Sequence, residues 1–152
     1  AFYSLDKEGN VIYDPTKVKD MVNRIKYPER NVAVHNVAGT LQQMRMGMLI
    51  AKMTDKEVQD IFKTDKATAL DNMTRSKLAV TYQYEGMIQY LLKNVFKGKR
   101  LKELKDNNNT AKLLFSEDIY KLFQDFEPTK VGNIDTSNVD SGRRRRDALT
   151  NV

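Results

Sequence analysis

The sequence has no cysteine, no tryptophan and a single histidine, His35, among 152 residues. Without cysteine there is no disulfide framework, no thiol nucleophile and no cysteine-bound zinc. A solitary histidine excludes sites built on paired imidazoles. Proline occurs three times, at positions 15, 28 and 128. Seven glycines are scattered and form neither Gly-x-x-x-x-Gly-Lys nor Gly-x-Gly-x-x-Gly, so no phosphate-cradling loop is present. Long apolar runs are missing too. The longest, Met46 to Ala51, is interrupted by Gly47 and is far too short to span a bilayer. The first residues, Ala1-Phe2-Tyr3, lack the basic and apolar regions of a secretory leader.

What is present is charge and a moderate apolar content. Charged residues make up 30%, hydrophobic residues 40%, and the net charge is +6 with a pI near 9.4. That composition supports a folded core, and the length suits one domain with an appendage. The charge is unevenly placed. Residues 93–105 carry +5 and the run Arg143, Arg144, Arg145, Arg146 carries +4, which leaves the rest of the chain at −3.

Periodicity and capping residues divide the chain. Phe2 to Tyr13 reads as a β-hairpin, two β-prone runs around Gly9-Asn10. Asp14-Pro15 opens a helix, with Val18, Met21, Val22 and Ile25 on one stripe and Pro28 as its stop. A second helix is expected from about Asn31 to Met53. Its glycines, Gly39 and Gly47, suggest close approach of another backbone, and its period favours core filling for Met44, Met46, Met48 and Met53 over an adaptable contact surface. Thr54 and Glu57 form a capping box before Val58, Ile61 and Phe62, and Thr64-Asp65 breaks or re-caps.

One long helix is then expected over Lys66 to Lys97, with Gly98 as its C-cap. A short basic amphipathic turn or two follows, from Lys99 to Asp106. After the loop Asp106 to Asn109, Thr110 caps a short turn and Ser116 caps a last helix that Pro128 stops. Beyond Phe126 large apolar residues thin out to Val131, Ile134, Val139, Leu149 and Val152. The expected fold is therefore mainly α: an N-terminal β-hairpin (1–13), a bundle of about four to six helices (14–126) and an extended basic tail (127–152).

Catalytic sets are hard to assemble from these residues. His35 would have to serve as the sole imidazole base, and no Gly-x-Ser-x-Gly elbow accompanies it. Any metal site would be all-oxygen, yet most of Asp55, Glu57, Asp60, Glu117 and Asp118 are better explained as carboxylates in first turns of helices, facing the positive end of the dipole. No cofactor, metal or catalytic residue is expected, and the chain reads as a non-enzyme.

The basic clusters are the remaining signal: Lys93, Lys97, Lys99, Arg100, Lys102 and Lys105 in the body, and Arg143 to Arg146 in the tail. Such clusters can neutralise phosphates or meet an acidic protein groove. Lys17, Lys19, Arg24 and Lys26 add positive charge on the first helix, and Tyr82, Tyr84 and Tyr90 near the Lys cluster are candidates for base stacking. Glu57 to Phe62, the Thr64-Asp65 turn and the next helix have the order of a helix-turn-helix, but the turn lacks glycine and the second helix is too long.

The order of hairpin, helical body and extended basic tail is loosely similar to that of small phage head–tail adaptors and terminase small subunits, a likeness of architecture alone. The leading expectation is a structural or assembly subunit of a larger complex, connector- or adaptor-like in a virus or phage particle, forming homo-oligomers and contacting other subunits. The alternative is a nucleic-acid-binding accessory protein using the Lys93–Lys105 cluster and the Arg run. Either way the expected location is intracellular or in a virion, without a signal peptide and away from the membrane.

Overall fold

The computed structural model describes residues 3–5, 7, 11–30, 33–77, 81–106 and 108–126. The chain divides into two units, Ala1–Tyr120 and Lys121–Val152. The protein is mainly helical, with eight α-helices among the described residues. None of those helices is long and apolar enough to cross a membrane.

The first unit begins with a short antiparallel pair, β1 (Tyr3–Leu5) and β2 (Val11–Tyr13), in which Tyr3 lies opposite Tyr13 and Leu5 opposite Val11. Helix α1 (Pro15–Lys26) starts where expected: the Asp14 carboxylate accepts from the Thr16 amide at 2.9 Å, and Pro15 takes the first helical position, where no amide is needed. It buries Val18, Val22 and Ile25, three positions of one helical stripe.

Helix α2 (Val34–Lys52) is the centre of the unit. From Ala38 to Ile50 every residue but Thr40 is buried, because β2, α1 and the helices over Lys66–Arg75, Glu85–Asn94 and Asn109–Leu114 all pack on it. The four methionines expected as core, Met44, Met46, Met48 and Met53, are at most 3% exposed. Gly47 does serve a close approach, but to a side chain rather than a backbone: a Cβ there would lie 3.3 Å from the Tyr13 hydroxyl oxygen.

Helix α3 (Asp55–Phe62) has the reciprocal capping box, with the Glu57 amide donating to Thr54 Oγ1 at 3.1 Å and the Thr54 amide to Glu57 Oε1 at 2.8 Å. It ends at Lys63 in the left-handed conformation, φ +59°. Asp65 then caps α4 (Lys66–Arg75) through the Thr68 amide at 2.8 Å.

The single long helix expected over Lys66 to Lys97 is not formed, and the bundle consequently has more helices than the four to six expected. Helix α4 stops at Arg75. A 3₁₀ turn covers Tyr82–Tyr84, and α5 runs from Glu85 to Asn94. At the end of α4, side chains satisfy the backbone acceptors that the helix leaves open. Gln43 of α2 donates to the carbonyls of Met73 and Ser76 at 3.0 and 3.2 Å, and the Ser76 hydroxyl donates to Asn72 O at 3.1 Å.

Gly98 is likewise not the cap of α5. That cap is Val95, and Gly98, at φ +64°, turns the chain into α6 (Lys99–Asp106). Asn108, rather than Thr110, caps α7 (Asn109–Leu114), accepting from the Ala111 amide at 3.0 Å. The buried Thr110 hydroxyl instead donates to Tyr13 O at 2.6 Å, fixing the end of β2. Helix α8 (Glu117–Phe126) follows Ser116, whose hydroxyl accepts from the Ile119 amide at 3.4 Å.

Candidate functional site

The strongest electrostatic feature is inside the protein. Arg45 on α2 is 1% exposed, and its guanidinium is hydrogen-bonded to groups on several helices. Nη1 donates to Glu85 Oε1, on the first turn of α5, and to Gln42 Oε1 at 2.9 Å. Nε donates to the carbonyl of Leu114, at the end of α7, at 2.9 Å. The Phe115 ring centre lies 5.6 Å from the guanidinium carbon. Glu85 also accepts from Gln42 Nε2 at 2.9 Å and Gln89 Nε2 at 2.6 Å. Burial pulls the Arg45 guanidinium below its usual range, and Glu85 acts in the opposite direction. This knot joins α2, α5 and α7. It is closed to solvent, so its role is to hold helices in register.

The sequence reading did not single out Arg45, Glu85 or Gln42. One signal was available: Gln42, Gln43 and Arg45 interrupt a helix that is apolar on every side, and a polar group there needs a partner.

A second pair binds one of the basic residues expected to meet a partner. Arg100, at the start of α6, forks onto the Glu57 carboxylate with Nη1–Oε2 and Nη2–Oε1 distances of 2.6 and 2.7 Å. It also donates to Lys52 O at 3.3 Å, at the end of α2, and lies 4.7 Å over the Phe96 ring centre. The Arg100 guanidinium, with help from the Thr54 amide and hydroxyl, holds the Glu57 carboxyl at about 2, well below its ordinary value. Arg100 is thus a brace between α3, α2 and α6.

The other expected contact residues sit at or near the surface. Lys93 is exposed in the last turn of α5, Lys97 in the following connection and Lys99 at the start of α6. Lys102 pairs with Asp106 one turn on, at 2.6 Å, and Lys105 is half-buried. The solvent face of α6 therefore presents Lys99 and Lys102 with Glu103 and Asp106, two charges of each sign. Arg143 to Arg146 lie outside the described residues.

Of the tyrosines near this cluster, the Tyr82 side chain is outside the described set. Tyr84 is turned toward Ser76, with its hydroxyl 2.8 Å from Ser76 Oγ, and burial pushes its phenol up. Tyr90 is 51% exposed, and Met87, one turn before it on α5, is 36% exposed. Gly86, Met87, Tyr90 and Lys93 thus share the outer face of one helix.

His35 is exposed in the first turn of α2. Among the described residues no group of three histidine, aspartate or glutamate side chains is placed to hold a metal ion. Asp55 lies in the first turn of α3, Asp60 pairs with Lys56 at 2.8 Å, and Glu117 and Asp118 occupy the first turn of α8. No family model matches the chain, and no curated protein or solved structure does so either.

Proposed function

We propose that this chain is a non-enzymatic structural or assembly subunit that works by contacting other proteins. The observation that carries this reading is the solvent-facing pair Met87 and Tyr90 on α5, with Lys93 in the next turn. Aromatic residues and methionine are enriched at protein interfaces, and exposing them does nothing for the fold of an isolated subunit. The use of the charged groups adds support. Arg45 with Glu85, and Arg100 with Glu57, are spent joining helices of the same body. With Arg100 braced inward and Lys102 paired to Asp106, the stretch from Lys93 to Lys105 offers a polyanion fewer cations than its composition suggests. The finer form of the proposal is a component of a virus or phage particle, with an N-terminal hairpin and a basic C-terminal stretch that clasp neighbouring subunits.

Light scattering on the full chain, over a range of concentrations, tests the proposal. Expected is an assembly that grows with concentration and is lost when the chain ends at Phe126. A full chain that stays monomeric, and that instead binds duplex DNA with affinity falling steeply as salt rises, would replace this reading with the nucleic-acid one.

A further inference from the structure

We infer that the outer face of α5 is the docking surface for an acidic amphipathic helix of a partner protein, with Met87 and Tyr90 receiving its apolar side and Lys93 and Lys97 its carboxylates. This deepens the assembly reading above and rests on it. The exposed positions Gly86, Met87, Tyr90, Lys93 and Asn94 of α5 follow helical spacing, so they line one stripe, and Lys97 is exposed in the connection just beyond it.

Along the stripe the chemistry changes in order. At its start the backbone is bare: nothing lies within 4 Å of where a Gly86 Cβ would be, so another backbone can come close. Next comes an apolar step of two large side chains, 36% and 51% exposed. The last part is basic. A partner helix with apolar residues at one end of its face and carboxylates at the other matches this order in polarity and charge.

A nucleic acid fits less well. A phosphate chain gains nothing from Met87, and on this stripe Tyr90 alone among the described residues offers an exposed ring for stacking. The helix that follows presents Glu103 and Asp106 beside Lys99 and Lys102, so its solvent face adds no net attraction for a polyanion. A helix with a few discrete carboxylates can select the lysines and avoid those acids. Lys93 also suits the negative end of the α5 dipole, but that role does not account for the apolar step beside it.

The test uses the full chain with its methionine methyls and tyrosine rings followed by NMR. The probes are a helical peptide of Leu–Glu heptads, the same peptide with Lys for Glu, a polyglutamate without apolar residues, and a single-stranded oligonucleotide. The Leu–Glu peptide should shift the Met87 methyl and Tyr90 ring signals. Tyr90→Ala, and separately Lys93→Glu with Lys97→Glu, should each weaken its binding about tenfold or more. Lys17→Glu with Lys19→Glu on α1 should leave it unchanged.

The inference is overturned if the oligonucleotide or the Lys peptide moves the same signals as strongly, if polyglutamate binds as well as the Leu–Glu peptide, or if no probe moves them. It is also overturned if these signals change with protein concentration alone and Tyr90→Ala abolishes that change, since the occupant would then be a second copy of this chain. Peptide binding is read on the face itself, so it can fail while concentration-dependent assembly persists. Assembly can equally fail while the peptide still binds.

Discussion

Arg45 is the residue on which the fold is most exposed to damage. Removing one partner of a buried ion pair strands the other charge without water, which costs about 3–5 kcal/mol. Arg45→Met should therefore lower the free energy of urea unfolding by about that amount. The double change Arg45→Met with Glu85→Leu should recover most of the loss, because both charges leave the interior together.

Glu57 offers a test by pH. Its folded value of about 2 lies below the ordinary 4.5, so its pairing with Arg100 stabilises the protein fully above about 4.5 and ceases to do so as pH falls through about 2. Glu57→Gln keeps the capping hydrogen bonds and removes the charge. With both side chains near one third exposed, the expected loss at pH 7 is about 1–2 kcal/mol, less than the full shift implies. Urea titrations of the two proteins should differ at neutral pH and converge near pH 2.

Among the elements, the break between α4 and α5 is the one that local reasoning misses. The positions Leu70 and Met73 before it, and Ile88 and Leu91 after it, are sound helical stripes. At the stop after Arg75, Gln43 reaches across from α2 to the carbonyls of Met73, thirty residues downstream, and Ser76. By contrast the starts of α1, α3, α4 and α8 follow residues that cap within three positions, and those were legible.

Two glycines should then respond in opposite directions. Gly86 lies in α5 with open space around it, so Gly86→Ala should stabilise by about 0.5–1 kcal/mol. Gly98, at φ +64°, takes a conformation that a Cβ resists, and Gly98→Ala should cost about 1 kcal/mol. Differential scanning calorimetry of the two variants, with opposite shifts in midpoint, checks both.

At the scale of the whole molecule, the first unit is built on α2, and the helices packed on it supply that unit's surface. The first unit ends at Tyr120, and its core residues lie between Tyr13 and Ile119. The stretch after Phe126 has few large apolar residues. Ending the chain at Phe126 should thus move the thermal midpoint by no more than about 3 °C, measured by circular dichroism, while abolishing assembly. A larger drop would give the tail a part in the stability of the body.

The sequence alone was sufficient to establish a cysteine-free, mainly helical protein, most of the helix starts, the methionine core of α2 and the concentration of positive charge in two places. Each of these depends on composition or on residues within about four positions of one another, where capping, turn chemistry and helical spacing act. Only the tertiary structure decided that Arg45 and Glu85 meet, that Arg100 faces Glu57, that Thr110 holds Tyr13, and that Met87 and Tyr90 face solvent. Those outcomes join or separate groups 40 to 97 residues apart in the chain, or depend on which side of α5 the core covers. The physical reason is range. A basic residue in a charged run has the same local spacing whether it points to water or folds back onto a carboxylate, and only the packing of the helices settles which.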